Sequence, residues 1–335
     1  MTTSRDIARE AGVSQSTVSR ALRRDPRVAE ETQKRVAEVA RRLGYVANRA
    51  AQSLKTARSR TIGVVLADLR NPYFLELVDG LHDELHMADY RTFLVTDRLD
   101  NGNGADLVEL LGGSVDGVIF ASARSADAAP MGLADHGLPV VLINREVEAH
   151  PFDRVLSDYA TGGALAARHL VELGHRRIGL ITGPSHMAVF RDREASFRRV
   201  LDELGAPFDD ALRREGLYTH QVGNQWCADL LRQPDPPTAI FCADDVVAFG
   251  ALDAARQLGV RVPEDLSIIG YDDIDMASWE LFGLTTIRQP MPEMARDAAR
   301  LLLQRINGQG LSPEPQHRVY PASLVRRSST GTAPR

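Results

Sequence analysis

A short N-terminal segment carries polar side chains at the spacing of one helix face. If a helix begins at residue 15, its outer face presents Gln15, Ser16, Ser19 and Arg20. A glutamine amide matches the donor and acceptor at the major-groove edge of adenine, and serine and arginine suit bases or phosphates. The pattern favours DNA recognition through Gln15 and Ser16, with an ordinary polar helix face as the alternative.

Polar and aromatic side chains recur further along the chain, just after predicted strands. Carboxylates, an amide and guanidinium groups stand there at Asp68, Asn144, Arg145, Arg191, Arg193, Asp244 and Asp272. Aromatic rings lie close by in the sequence at Tyr73, Phe74, Tyr218 and Trp279. Carboxylates accept hydrogen bonds from hydroxyls, arginine donates them, and a ring packs on the apolar face of a sugar. The residues predict a cleft for a small polyhydroxylated ligand, although each aspartate alone could be only a helix cap.

Three short helices must hold the residues at the N-terminus. Ser4 is expected to cap a helix over 5–11 that ends at Gly12, and Ser14 to cap a second helix over 15–23. A third helix is expected over 30–43. Apolar residues at helical spacing give these helices an inner face at Ile7, Ala8, Ala11, Val18, Leu22, Val36, Val39, Ala40 and Leu43. The pattern predicts a helix-turn-helix.

Parallel sheets must hold the residues of the cleft. From residue 61 onward, short apolar strands alternate with amphipathic helices, which indicates sheets that are buried on both faces. Two sets of strands are predicted, over 61–68, 92–97, 117–122 and 140–144, and over 178–183, 239–244, 267–272 and 285–290. The predicted fold class is therefore α/β, with a helical head followed by two doubly wound lobes. Ligands of such sheets bind beyond the carboxyl ends of the strands.

The charge distribution separates the head from the rest of the chain. Residues 1–60 hold 14 Lys and Arg against 6 Asp and Glu, whereas the remaining residues hold 26 against 39. The net charge of −5 therefore hides a basic head on an acidic body. Such an asymmetry suits one module for a polyanion and another for a different ligand.

The composition argues against several other classes of protein. Cys227 and Cys242 are too few for a disulfide framework or a four-ligand metal site, and they fit a reducing compartment. No apolar run approaches the ~18 residues of a membrane span, and the N-terminus shows no signal-peptide core. We expect a cytoplasmic protein with no cofactor, no metal ion and no membrane partner.

Residues 47–60 are expected to form a hinge helix and linker. Asn48 to Lys55 is long enough for about two helical turns, which need a partner helix or DNA for stability. Leu54 has no core to enter, and an inserted leucine can open a base step from the minor groove. A plain basic linker is the alternative.

Several stretches resemble the lactose and galactose repressor (LacI/GalR) family of bacterial transcriptional regulators. In the head they are AGVSQSTVSR at 11–20 and LGYVANRAAQSL at 43–54. Beyond it they are NPYF at 71–74, HLVELGHRRIGLITGP at 169–184, PEDLSIIGYDD at 263–273 and LTTIRQP at 284–290. The resemblance covers about residues 3–327. It implies a core like that of periplasmic binding proteins and repression that is relieved by a sugar-like effector.

The resemblance assigns roles to individual positions. It implies that Gln15 and Ser16 read bases and that Leu54 is the hinge leucine of the minor groove. With the residues above, the expected DNA contacts are Ser4, Gln15, Ser16, Thr17, Ser19, Arg20, Arg23, Asn48, Ala51, Gln52, Leu54 and Lys55. The expected effector contacts are Asp68, Tyr73, Phe74, Asn144, Arg193, Tyr218, Asp244 and Asp272.

Two positions depart from the family pattern. Ser196 stands where the family usually has glycine, so we expect altered helix packing beside Arg193. Asp244 stands where some members have asparagine, which shifts the preference toward hydroxyl donors or cations. Both departures limit the transfer of any particular effector to this chain.

The predicted domains follow the strand pattern. They are a head at 1–46, a hinge at 47–60, a first lobe at 61–157 with 286–317, a second lobe at 158–285 with 318–328, and a disordered tail at 329–335. We expect a homodimer that reads two half-sites of a near-palindromic operator. The expected dimer surface includes helices around 72–90 and 107–113 and part of the second lobe.

Two other functions fit parts of the pattern. An enzyme is one, because Asp272, Asp273 and Asp275 could form a metal cluster, but no histidine supports them and no GxSxG elbow surrounds Ser185. A solute-binding protein is the other, because its two lobes would look the same. The basic head and the missing signal peptide argue against it.

Overall fold

The computed structural model describes residues 2–22, 25–45, 58–97, 104–121, 128–147, 152–308 and 314–334. The chain divides into two compact units, Met1–Ser59 and Arg60–Arg335, which we call the head and the body. Six of the predicted DNA contacts lie outside the described residues, namely Arg23, Asn48, Ala51, Gln52, Leu54 and Lys55. The predicted hinge helix lies outside them too.

The described part of the head contains three helices: α1 (Ser4–Ala11), α2 (Gln15–Leu22) and α3 (Glu30–Arg42). The predicted break at Gly12 is confirmed, because its φ of 67° lies in the left-handed region that glycine adopts without a Cβ clash. The predicted cap of α2 is also confirmed, because the Ser14 hydroxyl accepts the Thr17 backbone N–H at 3.1 Å. These two turns set the angle between α1 and α2.

The start of α1 differs from the prediction. Ser4 is the first helical residue, and Thr3 precedes the helix as its cap. The Asp6 carboxylate accepts both the backbone N–H of Thr3, at 2.9 Å, and its hydroxyl, at 2.7 Å. Thr3 and Asp6 therefore close the first turn, and the Ser4 hydroxyl is left for another contact.

The core of the head is small and built from the predicted stripe. Ile7, Val18 and Val36 are fully buried, one from each helix. Ala11 and Ala21 are also buried, and their small side chains let the helices cross closely. The opposite faces of the helices are left to polar residues.

The first lobe of the body rests on a wholly parallel sheet. Its strands are β1 (Thr61–Leu66), β2 (Arg91–Thr96), β3 (Gly117–Phe120), β4 (Val140–Ile143), β5 (Asp153–Ser157) and β11 (His317–Tyr320). Their order is β11-β5-β4-β3-β1-β2. Its helices are α4 (Pro72–Met87), α5 (Gly104–Leu111), α6 (Ala129–Asp135) and α11 (Met291–Asn307).

The second lobe repeats this architecture with one antiparallel edge. Its strands are β6 (Ile178–Thr182), β7 (Arg213–Glu215), β8 (Ala239–Cys242), β9 (Ser267–Asp272), β10 (Thr285–Arg288) and β12 (Ser323–Val325). Their order is β12-β10-β9-β8-β6-β7, and only β12 runs antiparallel to its neighbour. The helices are α7 (Tyr159–Glu172), α8 (Ala188–Glu203), α9 (His220–Leu231) and α10 (Asp245–Gln257). The predicted α/β fold with two doubly wound lobes is confirmed.

The predicted lobe boundaries are wrong near the C-terminus. Strand β10 pairs with β9 in the second lobe, so 286–288 do not belong to the first lobe. Strand β11 pairs with β5 in the first lobe, so 318–320 do not belong to the second. The chain therefore crosses between lobes after residue 288 and again after residue 320.

The predicted disordered tail is also wrong over residues 329–334. The Ser329 hydroxyl donates to the Ile268 carbonyl at 2.6 Å and accepts the Thr285 backbone N–H at 2.8 Å. The Ala333 backbone N–H donates to the Leu173 carbonyl at 2.8 Å. The tail is therefore part of the second lobe, because its polar groups form hydrogen bonds with the strands and a helix end of that lobe.

Among the described residues, every helix is too short or too polar to cross a bilayer.

Candidate functional site

The first turn of α2 presents hydroxyl groups to solvent. Gln15, Ser16 and Arg20 are exposed, whereas Val18 on the opposite side is fully buried. The Ser14 hydroxyl lies 2.8 Å from the hydroxyls of Ser16 and of Thr17. The predicted polar face therefore exists, and its side chains contact one another at the helix N-terminus.

Gln15 connects the two helices of the helix-turn-helix. Its Nε2 donates to the Ser4 hydroxyl at 2.7 Å, so the N-termini of α1 and α2 meet. Both side chains reach solvent. The pair offers an amide and a hydroxyl together, the groups that match base edges and phosphates.

A cavity that opens to solvent lies between the lobes of the body, and its empty space, including that opening, is about 340 Å³. Seven of the eight predicted effector contacts line it, namely Tyr73, Phe74, Asn144, Arg193, Tyr218, Asp244 and Asp272. The other lining residues are Asn71, Arg145, Val189, Phe190 and Gln289. The topology thus brings side chains separated by more than two hundred residues into one site.

The amide of Asn144 organises the first-lobe side of the cavity. Its Nδ2 donates to the Tyr73 hydroxyl at 2.6 Å and to Gln289 Oε1 at 2.8 Å. Its Oδ1 accepts the backbone N–H of Ser157 and the Tyr159 hydroxyl, both at 3.0 Å. Asn144 follows β4 with a φ of 49°, in the left-handed region that asparagine tolerates better than most non-glycine residues.

Arg193 occupies the centre of the second-lobe side. Its guanidinium is buried, donates to the Ala243 carbonyl at 2.7 Å and lies 3.6 Å from Asp272 Oδ1. It also stacks 3.5 Å from the centre of the Tyr271 ring. Its buried Nε contacts no hydrogen-bond acceptor among the described residues. The side chain is therefore held rigidly, with one donor available in the interior.

Two buried carboxylates face this guanidinium. Burial raises the pKa of Asp272 well above its usual range, Arg193 opposes that rise, and the neighbouring Asp244 adds to it. Burial also raises the pKa of Asp244, whereas a hydrogen bond from Asn71 opposes the rise. Hydroxyl groups of a ligand can donate hydrogen bonds to these carboxylates and so replace the water that burial removes.

Aromatic rings give the cavity flat apolar walls. Tyr73 and Phe74 meet edge to face, with centroids 5.1 Å apart. Phe190 and Tyr218 stack at 5.9 Å with planes 27° apart. Such walls suit the apolar face of a pyranose or furanose ring, or a planar base.

Three residues that the sequence placed near the cleft lie elsewhere. Asp68 does not line the cavity, because its carboxylate forms an ion pair with Arg70 at 2.7 Å on the surface. Arg191 is exposed beside Asp192, at 3.1 Å, and the Trp279 ring is half exposed. Strand ends alone did not tell which of these side chains turn inward.

Other lining residues were missed. Gln289 follows β10 directly, so the rule that selected Asp272 would have found it. Asn71 caps α4, because its Oδ1 accepts the Tyr73 backbone N–H at 3.0 Å, and its side chain also lines the cavity. Phe190 lies in the first turn of α8, where the sequence carried no signal for it.

Ser196 lies where helices α7 and α8 cross closely. The Ser196 hydroxyl donates to the Arg193 carbonyl at 3.0 Å, and Gly163 of α7 packs against both. A Cβ on Gly163 would lie 2.2 Å from that carbonyl and from the Ser196 hydroxyl. The two helices therefore cross closely beside Arg193, and the serine fits because residue 163 has no side chain.

Two family profiles match the chain. One, described as bacterial regulatory proteins of the lacI family, matches residues 3–48. The other, described as a periplasmic binding protein-like domain, matches residues 167–330. They correspond to the head and to much of the body.

Similar proteins cover nearly the whole chain. The transcriptional repressor PurR of Haemophilus influenzae is 32% identical over 98% of this chain and 98% of that protein. The transcriptional repressor CytR of Escherichia coli K12 is 34% identical over 99% of this chain and 97% of that protein.

Solved structures of similar proteins include several with ligands bound. The lac repressor dimer bound to operator and the anti-inducer ONPF is 28% identical, with a TM-score of 0.84, over 98% of this chain and 99% of that one. A complex of the regulator CelR with cellobiose is 32% identical, with a TM-score of 0.74, over 98% of this chain and 100% of that one. A regulator from Enterococcus faecium with bound ribose is 33% identical, with a TM-score of 0.73, over 81% of this chain and 99% of that one.

Proposed function

This chain belongs to the lacI family of bacterial regulatory proteins and is a ligand-responsive, DNA-binding repressor, and we propose how it reads its operator and senses its effector. The observation that carries the proposal is the pairing of an exposed polar helix face in the head with a cavity of buried hydroxyl-binding groups in the body. Each suits one of the two ligands that such a repressor needs.

In the proposed complex with DNA, α2 lies in the major groove. Gln15 and Ser16 contact bases, and the remaining head residues Ser4, Thr17, Ser19, Arg20 and Arg23 contact phosphates. The hinge supplies Asn48, Ala51, Gln52, Leu54 and Lys55, with Leu54 inserted in the minor groove. The exposed pair of Gln15 and Ser4 supports the base-reading role.

In the proposed effector complex, a sugar-like molecule occupies the cavity between the lobes. Asp244 and Asp272 accept its hydroxyl hydrogens, Arg193 and Asn144 orient it, and the rings of Phe190 and Tyr218 cover its apolar face. The solved relatives with cellobiose and ribose support this class of ligand. Effector binding changes the angle between the lobes and releases the operator.

The active species is proposed to be a cytoplasmic homodimer. Apolar side chains support a dimer surface along the expected helices, because Leu75 on α4 and Leu110 on α5 are exposed. In the second lobe Trp279 and Leu281 are exposed as well. One small reading helix per chain also favours two chains on two half-sites.

A selection from random DNA tests the operator proposal. The full-length protein, mixed with a random duplex library, should enrich a near-palindromic sequence, and binding should weaken steeply with salt. Failure to enrich any sequence at low salt would contradict the proposal, and an asymmetric single site would contradict the dimer.

A thermal-stability panel tests the effector proposal. Pentoses, hexoses, disaccharides and nucleosides are added to the full-length protein, and a true ligand raises the melting temperature by mass action. Asp272→Ala should abolish that rise and the release of DNA, yet keep operator binding. Loss of both activities would contradict the division of labour between body and head.

A further inference from the structure

Two helix caps from different lobes contact one another across the cavity. Asn71 caps α4 of the first lobe, and Asp244 caps α10 of the second. The Asn71 Nδ2 donates to Asp244 Oδ2 at 3.0 Å, and both side chains are buried. The remaining oxygen of each side chain accepts from its own helix, Asn71 Oδ1 from the Tyr73 N–H and Asp244 Oδ1 from the Val246 N–H.

A second contact joins the lobes outside the cavity, one turn further along α4. The Glu76 carboxylate accepts the backbone N–H of Asp275 at 2.9 Å. Asp275 begins a short helical turn that follows β9 in the second lobe. Glu76 and Asp275 do not line the cavity, so their contact reports whether the lobes are together without involving a ligand directly.

We propose that the bond between the two caps is a latch that keeps the lobes closed when no effector is bound. The proposal rests on the proposed function and concerns the control of its effector site. A hydrogen-bond donor stabilises a buried carboxylate. Opening the lobes breaks the Asn71–Asp244 bond, and water must replace the lost hydrogen bond. An effector hydroxyl that reaches Asp244 Oδ2 has to replace the Asn71 amide.

The caps allow the latch to be broken without breaking the helices. Asn71→Asp keeps an acceptor for the Tyr73 N–H but places two carboxylates face to face. Asp244→Asn keeps an acceptor for the Val246 N–H but places two amide donors face to face. Aspartate and asparagine are about equally good caps, so both helices remain capped.

The double variant Asn71→Asp with Asp244→Asn provides the rescue. The amide introduced at position 244 can donate to the carboxylate introduced at position 71, so the bond re-forms with its direction reversed. The composition and net charge of the pair are those of the parent. If each change only destabilised its own helix, the two losses of stability would add in the double variant instead.

Hydrogen exchange of backbone amides in the full-length protein, followed by NMR without effector or DNA, measures the latch. Each single change should raise the exchange rate of the Asp275 amide about tenfold, and the double change should return it close to the parent rate. The adjacent Ile274 amide is the matched control, because it donates to Asp245 within the second lobe, at 3.0 Å. Its exchange rate should stay the same in all variants.

Three results would overturn the latch: an unchanged Asp275 rate in the single variants, a double variant as fast as the singles, or an equal acceleration of Ile274. Since the measurement uses neither operator nor effector, its failure leaves the DNA selection and the thermal panel unaffected. A failure of those two experiments would refute the proposed function without changing the exchange rates.

Discussion

The head and the cavity place their functional side chains under opposite conditions. In the head, Gln15 and Ser16 are exposed and contact neighbouring hydroxyls. In the cavity, Asn144, Arg193 and Asp272 are buried, and the cavity network includes residues of both lobes and the segment that joins them. We therefore expect exposed side chains of the head to change with little effect on folding, and buried side chains of the cavity to affect both folding and the proposed effector recognition.

Removing the central guanidinium tests this contrast most strongly. Arg193→Met should lower the free energy of unfolding of the body by about 3 kcal/mol, because it leaves buried carboxylates without their cation. Chemical denaturation of the full chain measures it. The matched control Arg191→Met, at an exposed position, should change it by less than about 0.5 kcal/mol. Equal losses in the two variants would mean that burial of Arg193 carries no special cost.

Truncating Gln15, the proposed base-reading residue, tests the other half of the contrast. Gln15→Ala should weaken binding to the selected operator by roughly tenfold and relax the preference at one position of each half-site. The free energy of unfolding should stay within about 0.5 kcal/mol of the parent. The control Lys34→Ala, on an exposed part of α3, should leave the sequence preference intact. If the Gln15 variant kept the sequence preference of the parent, other residues would have to read the bases.

The smallest expected effect is on the pH dependence of the stability of the second lobe. Burial, aided by Arg326, lowers the pKa of His169 from 6.5 to about 4. Because the folded state favours the neutral ring, the free energy of unfolding should fall as the pH drops from about 6.5 toward 4. His169→Gln should flatten that slope, since the glutamine amide can still contact Thr330 but does not titrate. His136→Gln, at an exposed position, is the control and should keep the parent slope.

The sequence predicted the head and most of the cavity for different reasons. Helical spacing, Gly12 and Ser14 placed α1 and α2 within a residue, because those signals act locally. The cavity followed from the strand ends and the resemblance, which placed Asp244 and Asp272 correctly. The predicted place of Asp68 in the cavity was wrong, since its carboxylate pairs with the neighbouring Arg70 instead.

The remaining errors depended on partners that are distant in the chain. Strands β5 and β11 were not predicted, since both are short and carry charged residues at Asp153, Arg154 and Arg318. Without β11, the second crossing between lobes was placed too early. The tail was judged from its composition, whereas Ser329 is buried by contacts with Ile268 and Thr285.

The docked tail also orders events during synthesis. Residues 2–45 contain α1, α2 and α3 and are made before the body, whereas the second lobe lacks its contacts with the tail until residues 329–334 have been made. Domains generally fold as units in the order in which they are translated. A nascent chain therefore acquires its DNA-reading module well before the lobe that holds Asp244 and Asp272 is complete, and a truncated translation product would retain the first without the second.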